Sequence, residues 1–290
     1  MTLPAFEYRA PSTIEEVIAL RRELGDDALV MNGGLMVVNL LRERLTDPHT
    51  VLSLSNIPEL QLIEADNSLQ IGATVSYRDI EKSEVVRTIS PLLSEACVRV
   101  GSPAIRNMGT LGGNVCYSDG ASDSAPALLA LGAEAVVRGS NGDRRIPLSE
   151  FFFGLFRTAM NDDEILTQIS IPRPVDGTQT RYTKFTSTSA EAYSTVTVAT
   201  SLVIDSAGQC IDARIGLGSV APFPMRARAA EDILRGQPLT GKLIAETADA
   251  AMAETDPSSS PQGSADYRRE MTGVWVRRLL EDMLPERSRA

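Results

Sequence analysis

A glycine-rich stretch from Arg106 to Asp123 contains the residues of this sequence that are best suited to holding a polar ligand. Gly109, Gly112 and Gly113 fall within five residues, and glycine permits backbone conformations and close ligand approaches that other residues do not. Short side chains able to donate or accept hydrogen bonds lie around them: Thr110, Asn114, Ser118, Ser122 and Asp123. Successive main-chain amides in such a loop form an anion-binding concavity, so the stretch predicts either a pyrophosphate site or, alternatively, tight turns without a ligand.

The spacing of these glycines differs from the common nucleotide-binding fingerprints. A dinucleotide-binding strand, turn and helix requires the GxGxxG pattern, and a phosphate-binding loop of the ATPase type ends in GK[ST]. Neither pattern is present between Arg106 and Asp123. The usual NAD-binding and ATP-binding loops are therefore excluded as explanations of this stretch.

The same stretch, continued to Ala133, closely resembles the second FAD-binding segment of the flavoprotein subunits of molybdenum hydroxylases. That family includes the medium subunits of carbon monoxide dehydrogenase, nicotinate dehydrogenase and quinoline oxidoreductase type enzymes, and the middle domain of xanthine dehydrogenase. The resemblance covers nearly the whole chain, and its most specific part is Gly109 to Asn114 together with Asp123.

The resemblance implies an α+β fold in two domains. Residues 1–175 would form a two-subdomain FAD-binding domain of the PCMH type, and residues 178–290 a smaller domain of antiparallel sheet plus helices. Pro172, Pro174 and Gly177 mark the expected linker between them.

Secondary structure follows from hydrophobic periodicity and turn residues. We expect a capping box at Ser12 to Glu15 before the first helix, a buried strand at residues 28–31, and a hairpin at Asn141-Gly142. Further predicted strands span residues 51–54, 69–73, 164–172, 195–205 and 210–217. Predicted helices begin at Ser76, Ser90 and Ser124, and three more span residues 226–234, 243–254 and 267–284. Phe151, Phe152, Phe153 and Phe156 are predicted core residues.

A first Gly-Gly loop at Asn32 to Leu41 is the second part of the expected cofactor site. In the resembled family its amides hold the FAD pyrophosphate, and Ser or Thr usually stands two residues after the second glycine. Met36 occupies that position here. The substitution removes a hydroxyl donor but leaves the amides of Gly33, Gly34 and Leu35, so we expect altered phosphate contacts and still an FAD site.

The resemblance implies a wider set of cofactor-binding residues than the two loops. They are Met31, Asn32, Gly33, Gly34, Leu35, Met36, Val37, Val100, Gly101, Thr110, Gly112, Gly113, Asn114, Tyr117, Asp123, Leu166, Lys184 and Tyr193. No catalytic and no metal-binding residue is expected.

Several of these residues have a second interpretation from the sequence alone. Asp123 either caps the following helix or accepts hydrogen bonds from cofactor hydroxyl groups. Lys184 is either a solvated strand residue or a cation that favours the negative charge of reduced flavin. Leu166 is a flavin neighbour or an ordinary strand residue, and Tyr193 is placed where an aromatic ring would cover the flavin. The family often has Arg or Lys shortly after Lys184, where this chain has Ser187 to Ser189.

Composition limits the function classes. The chain has 290 residues and a net charge of -10, which argues against nucleic-acid binding because a phosphate-binding surface needs clustered Lys and Arg. Met1 to Ala10 lacks a secretion signal and no uninterrupted apolar run of ~18 residues occurs, so we expect a cytoplasmic protein without a membrane span. The three cysteines, Cys97, Cys116 and Cys210, are too few and too widely spaced for an iron–sulfur or zinc cluster.

These observations predict an oxidoreductase subunit that binds FAD without a covalent link, since the single histidine, His49, lies outside both glycine-rich segments. By resemblance, electrons would arrive from the [2Fe–2S] clusters of a small partner subunit and leave to an external acceptor. The molybdenum cofactor would lie on a large partner subunit, in a dimer of heterotrimers. Two alternatives stay open: a stand-alone flavin-dependent oxidoreductase, and a scaffold subunit that has lost FAD.

Overall fold

The computed structural model describes residues 3–284. The chain begins with a small parallel sheet of three strands. Strands β1 (Glu7–Arg9), β2 (Ala28–Met31) and β3 (Thr50–Ser53) pair in the order β1-β3-β2. Helix α1 (Ile14–Leu24) connects β1 to β2, and helix α2 (Leu35–Arg42) connects β2 to β3. The carboxyl end of β2 therefore leads directly into the first Gly-Gly segment.

The N-terminus of α1 is capped one residue later than the sequence predicts. The Thr13 side chain accepts a hydrogen bond from the Glu16 amide, and the Glu16 carboxylate accepts one from the Ser12 amide at 2.8 Å. The expected pairing of Ser12 with Glu15 is thus wrong by one position. Ile14 and Val17 are still buried on the core side of the helix.

A second sheet of five antiparallel strands supports the middle of the chain. Its order is β4-β5-β10-β6-β7, where the strands are β4 (Ile63–Ala65), β5 (Ser68–Gly72), β6 (Glu134–Gly139), β7 (Gly142–Pro147) and β10 (Ile165–Pro172). The predicted hairpin at Asn141-Gly142 is confirmed, because β6 and β7 pair across it and Gly142 has φ +95°. A separate two-stranded hairpin is formed by β8 (Phe152–Gly154) and β9 (Arg157–Thr158).

Six short helices lie between β5 and β6. They are α3 (Tyr77–Lys82), α4 (Glu84–Ile89), α5 (Pro91–Val98), α6 (Pro103–Met108), α7 (Leu111–Tyr117) and α8 (Ala125–Ala130). The predicted helix starts after Ser76, Ser90 and Ser124 are confirmed. The interpretation of the glycine-rich stretch as a loop is wrong: α6 and α7 occupy most of it, because Ser102 and Thr110 cap them.

The rest of the described chain combines one antiparallel sheet with three helices. Strands β11 (Thr178–Phe185), β12 (Val196–Ile204), β13 (Cys210–Gly218) and β14 (Met225–Arg226) pair in sequence order. Helices α9 (Arg228–Leu234), α10 (Gly241–Ala253) and α11 (Ala265–Glu281) follow, as the sequence predicts. Helix α9 begins two residues later than expected because Met225 and Arg226 pair with β13.

Two large hydrophobic cores follow this division. One surrounds the five-stranded sheet and includes Phe151 and Phe152, while the other lies between the last sheet and its helices and includes Val196 and Leu280. Tyr182 of β11 packs on α5 and α8 and joins the two parts. The prediction that Phe153 and Phe156 belong to the core is wrong, since they are 56% and 49% exposed. Side chains alternate between faces along a strand, so burial of Phe152 turns Phe153 outward.

No helix within residues 3–284 combines the length and the apolar character that crossing a membrane would require.

Candidate functional site

An elongated cavity of about 690 Å³ lies where the small parallel sheet, the five-stranded sheet and β11 approach one another. Its walls contain every predicted cofactor-binding residue except Met31. Met31 instead places its sulfur against the Gly34 position. Residues far apart in sequence, from Asn32 to Tyr193, thus line one continuous space.

The N-terminus of α2 lines this cavity. Gly34 has φ +79°, a left-handed conformation that glycine adopts without steric cost, and the helix begins at the next residue. Within residues 3–284, no acceptor is found for the amides of Gly33, Gly34, Leu35 and Met36. Free first-turn amides and the positive end of the helix dipole favour an anion at this position.

Glycines in the two segments allow the backbone to pack closely against its neighbours. A Cβ at Gly33 would overlap the Met108 carbonyl group, and one at Gly112 would lie 2.6 Å from the Cβ and carbonyl oxygen of Ala73. Real Cβ contacts of this length essentially never occur, so close backbone packing requires both glycines. Asn32 strengthens the arrangement, because its Nδ2 donates to the Ala73 carbonyl at 2.7 Å.

The first-turn amides of α7 already have partners. The amides of Leu111 and Gly112 donate to the carbonyls of Val75 and Ala73, each at 3.1 Å. The amides of Gly113 and Asn114 donate to the side chain and carbonyl of Thr110. The prediction that these amides form the anion-binding concavity is therefore wrong. The free amides belong to the α2 segment.

Asp123 lines the cavity and forms an ion pair with Lys184. The Lys184 Nζ is 2.7 Å from Asp123 Oδ2, and it also donates to the Arg99 carbonyl at 3.0 Å. The side chain of Asp123 is 11% exposed and that of Lys184 is 2% exposed. Asp123 Oδ1 is buried without a hydrogen-bond partner among the described residues. A buried oxygen without a donor is costly, which is expected if a bound ligand supplies the donor.

Burial raises the pKa of Asp123 from 3.8 to about 6, although the positive charge and hydrogen bond of Lys184 lower it in part. The interpretation of Asp123 as the cap of α8 is wrong. Ser122 does this instead, because its Oγ accepts a hydrogen bond from the Ala125 amide at 3.1 Å. Asp123 is thus free of a role in the helix and directs its carboxylate to Lys184 and the cavity.

Asn114 is oriented by the hydroxyl groups of Ser122 and Ser124. Its Oδ1 accepts hydrogen bonds from Ser122 Oγ at 2.5 Å and Ser124 Oγ at 3.1 Å. Ser124 in turn lies 3.0 Å from the buried hydroxyl of Tyr77. Because Oδ1 is engaged, the Nδ2 donor of Asn114 remains for the cavity that Asn114 lines.

The cavity wall also contains Arg21 and Glu164, which sequence reasoning did not identify. Arg21 donates to the Asp162 carbonyl through Nε at 3.1 Å and Nη2 at 2.5 Å, and to the Ala28 carbonyl at 2.7 Å. Glu164 accepts hydrogen bonds from Arg144 Nε and from the Asn161 amide. The contacts that Arg21 makes with Asp162 and that Glu164 makes with Arg144 join segments 141 and 20 positions apart, so no local pattern marks them.

Aromatic side chains border the mouth of the cavity. Tyr117 and Phe156 meet edge to face with ring centroids 4.8 Å apart, and Phe156 has φ +57°. Tyr193 is 58% exposed and lies in the segment that follows β11. Such rings provide apolar surface for a planar ligand while leaving the mouth open.

The donor and acceptor groups of this cavity fit FAD. Free amides at the start of α2 suit a pyrophosphate, and the unpartnered oxygen of Asp123 suits a hydroxyl donor. Val100, Gly101 and Leu166 add backbone and apolar side chains to the cavity wall, which suits a ring system. The cavity volume lies within the range of about 300–1,000 Å³ that is usual for ligand sites.

Two protein families match the chain. Residues 4–174 match the family described as the FAD binding domain in molybdopterin dehydrogenase. Residues 181–283 match the family described as the CO dehydrogenase flavoprotein C-terminal domain.

Characterised relatives match over almost their full length. The carbon monoxide dehydrogenase medium chain of Hydrogenophaga pseudoflava is 32% identical over 282 residues, covering 97% of each chain. The nicotinate dehydrogenase FAD-subunit of Eubacterium barkeri is 30% identical over 286 residues, again covering 97% of each.

Solved structures agree with these sequence matches. A carbon monoxide dehydrogenase structure from Hydrogenophaga pseudoflava has a TM-score of 0.93, 34% identity and 97% coverage of both chains. The quinoline 2-oxidoreductase of Pseudomonas putida 86 has a TM-score of 0.89 and 29% identity, covering 97% of this chain and 98% of the other. The chain therefore belongs to the FAD-binding medium subunits of the molybdenum hydroxylase family and is an oxidoreductase subunit.

Proposed function

We propose that this chain passes electrons from the [2Fe–2S] clusters of a small partner subunit, through its own non-covalently bound FAD, to an external acceptor. The observation that carries the proposal is the cavity, in which unpaired amides and an unpartnered carboxylate oxygen face a space of about 690 Å³. The match to FAD-binding medium subunits over nearly the whole chain supports the same function.

The groups that line the cavity suggest which part of FAD each residue would contact. The amides of Gly33, Gly34 and Leu35 would hold the pyrophosphate at the start of α2. Asp123 Oδ1 would accept a hydrogen bond from a sugar or ribityl hydroxyl group, and Asn114 would donate one. Val100, Gly101, Leu166 and Tyr193 would contact the isoalloxazine ring.

The chemistry of bound FAD is reversible uptake and release of electrons, and the protein supplies position and charge. Lys184 places a buried positive charge beside Asp123 at the cavity wall. An ion pair next to the ring would influence how readily the site accepts negative charge, because electrostatic interactions are strong where water is excluded.

The partners follow from the family. Several relatives are named as medium chains or subunits, which implies further chains in their complexes. We propose an iron–sulfur small subunit and a molybdenum-cofactor large subunit, assembled as a dimer of heterotrimers in the cytoplasm. We further propose that residues 1–175 and 178–290 are the two domains, which the separate cores and the two family matches support.

The stand-alone flavin oxidoreductase is the second candidate, and it requires an acid or base in its own substrate pocket. His49, the single histidine, has an 84% exposed side chain beside Asp27, and it is not among the residues that line the cavity. The cavity does contain carboxyl groups, Asp123 among them, so this arrangement removes only histidine as the acid or base. The match to medium subunits over nearly the whole chain is what favours the electron-transfer role.

The cofactor assignment is tested by purifying the full chain, denaturing it and identifying the released flavin. We expect FAD, and replacement of Gly113 by Val should abolish binding, since a Cβ at Gly113 would lie 2.7 Å from Thr110 Oγ1 and disturb the α7 cap. Release of FMN, or full flavin occupancy in the Val variant, would contradict the assignment.

The electron-transfer role is tested by supplying a chemical reductant or NADH and a dye acceptor. The purified chain should reduce the dye but oxidise no organic substrate, and substrate-driven dye reduction should appear only when the partner chains are added. Turnover of an aldehyde or a heterocycle by the metal-free chain alone would favour the stand-alone enzyme. Absence of flavin under all conditions would favour the scaffold.

A further inference from the structure

Arg106 is a buried arginine behind the cavity wall that makes no contact with the cavity itself. Its side chain is 10% exposed and belongs to α6, at the beginning of the glycine-rich stretch. Nη1 donates to the carbonyl groups of Val100 and Gly101, each at 3.0 Å. One nitrogen therefore fixes two consecutive carbonyl groups of the segment that forms the cavity wall.

The other side of the guanidinium is anchored to α3. Arg106 Nε donates to Glu81 Oε2 at 3.1 Å, and Arg78 Nη1 donates to the other oxygen of Glu81 at 2.8 Å. Burial alone would raise the pKa of Glu81, but the hydrogen bonds from Arg78 and Arg106 lower it. Glu81 is therefore a carboxylate at neutral pH and holds the Arg106 fork in a defined orientation.

Gly101 has a backbone conformation that favours glycine. Its φ is +39°, and a Cβ at this position would lie 3.0 Å from the Ile105 side chain. A trans peptide directs its N–H opposite to its C=O, so the Gly101 amide points away from Arg106. Among the described residues no acceptor is found for this amide, and Gly101 lines the cavity while Arg106 does not.

We infer that Arg106 is a positioning residue: by holding the carbonyls of Val100 and Gly101, it sets the place at which the Gly101 backbone meets the ring of the bound flavin. This inference rests on the proposed FAD function. It assigns a task to a residue of the glycine-rich stretch that makes none of the contacts proposed for the cofactor itself. The relevant property is the fork geometry, because a lysine carries the same charge but cannot reproduce the three directed hydrogen bonds.

The alternative is that Arg106 only braces α3 against α6. A brace contributes to the stability of the chain but leaves the flavin environment unchanged once FAD is bound. Positioning alters the affinity for FAD and the midpoint potential of the bound flavin, because both depend on the groups that contact the ring. The two roles are therefore separated by measuring the flavin as well as the fold.

The test compares Arg106→Lys with Arg78→Lys in the full chain. Both variants keep the charge and lie next to Glu81, but only Arg106 contacts the carbonyls of Val100 and Gly101. We measure the melting temperature without cofactor, the dissociation constant for FAD by fluorescence titration, and the midpoint potential of the bound flavin.

For Arg106→Lys we expect an FAD dissociation constant about tenfold higher, because binding would then have to order the Gly101 backbone, together with a shifted midpoint potential. For Arg78→Lys both quantities should stay at the wild-type value. Glu81→Gln keeps the shape of the side chain and should change both quantities in the same direction as Arg106→Lys, to a smaller extent. If Arg106→Lys does not fold, Glu81→Gln takes its place as the test variant.

If Arg106→Lys lowers the melting temperature but keeps the wild-type FAD affinity and midpoint potential, the inference is overturned and Arg106 only stabilises the packing of α3 against α6. Equal changes in Arg78→Lys and Arg106→Lys would also overturn it, since the two carbonyl contacts would then be irrelevant. Failure of the wild-type chain to bind FAD is a different result, because it would reject the proposed function before any variant is compared.

Discussion

The Nζ of Lys184 lies 2.7 Å from Oδ2 of Asp123, and this ion pair joins β11 to the loop between α7 and α8. The two residues are 61 positions apart and belong to regions with separate hydrophobic cores. The second oxygen of Asp123 has no partner among the described residues. The pair therefore closes the wall of the cavity and leaves one acceptor directed to a ligand.

Replacement of Lys184 by Met should weaken both the fold and the cofactor site. It leaves Asp123 buried without a cation, and removing one partner of a buried polar pair costs about 1–3 kcal/mol. Denaturant unfolding of the cofactor-free chain measures this loss. FAD affinity should fall as well, because the unpaired carboxyl group would take up a proton.

The exposed pair of Lys242 and Glu246 on α10 provides a matched control. Lys242→Met should change the free energy of unfolding by less than about 1 kcal/mol, since exposed ion pairs contribute little. Equal destabilisation by Lys184→Met and Lys242→Met would show that the buried pair has no special role.

FAD binding should depend on pH through Asp123. In the folded, cofactor-free chain the pKa of Asp123 is about 6, raised from 3.8 mainly by burial. Between these values the folded chain holds a proton that the unfolded chain has lost, so the contribution of Asp123 to stability falls as the pH rises through this window. A charged carboxylate accepts a hydrogen bond from a hydroxyl group more strongly than a protonated carboxyl group does, so the affinity for FAD should rise from pH 5 to pH 7.

Titrations of wild type and Asp123→Asn across this pH range check the expectation. The Asn variant should bind FAD more weakly at pH 7, and its affinity should not change with pH in the same window. Because Ser122 caps α8, the helix should stay intact in this variant. A wild-type affinity that is constant from pH 5 to pH 7 would argue against a contact between Asp123 and the cofactor.

Much of the fold was predictable because its signals are local. The hairpin at Gly142 needs a glycine with positive φ, and the predicted helix start at Ser76 uses a short side chain that caps the first turn. The structure of the glycine-rich stretch was harder to predict from the sequence. Glycines there permit α7 to pack directly on the Ala73 backbone, and a sequence does not distinguish glycines needed for packing from glycines needed for a flexible loop.

The cavity was predictable as a list of residues but not as a set of contacts. Resemblance to a family placed Asp123 and Lys184 in the site, yet their pairing depends on how β11 meets α5 and α8. Arg21 lines the cavity and binds a carbonyl group 141 positions away. Contacts to backbone carbonyls leave no trace in residue type, so tertiary structure is needed to find them.

Replacement of Met36 by Ser should tighten FAD binding. Met36 lies in the first turn of α2, where no acceptor is found for its amide among the described residues, and its thioether donates no hydrogen bond. A serine hydroxyl directed to a pyrophosphate would add a hydrogen bond to a charged group, worth about 1.5–3 kcal/mol before ordering costs. We therefore expect about a tenfold lower dissociation constant in fluorescence titrations.

Met36→Ala is the control for this gain, because it removes the thioether without adding a donor. If Met36→Ala binds FAD as tightly as Met36→Ser, the effect comes from removing methionine and the pyrophosphate is held elsewhere.

The last prediction concerns the contact between the two glycine-containing segments. A Cβ at Gly33, which follows β2, would overlap the Met108 carbonyl group, whereas a Cβ at Gly25, in the turn that precedes β2, would meet nothing within 4 Å. Gly33→Ala should therefore separate α2 from α6, lower the melting temperature of the cofactor-free chain and abolish FAD retention. Gly25 has φ +54°, so Gly25→Ala should lower the free energy of unfolding only by the backbone strain of about 1–2 kcal/mol and leave FAD occupancy unchanged at 20 °C.

Flavin content after gel filtration, measured on both variants beside wild type, distinguishes loss of the segment contact from general destabilisation. Retention of FAD by Gly33→Ala at the wild-type level would mean that the approach of these two segments does not shape the cofactor site.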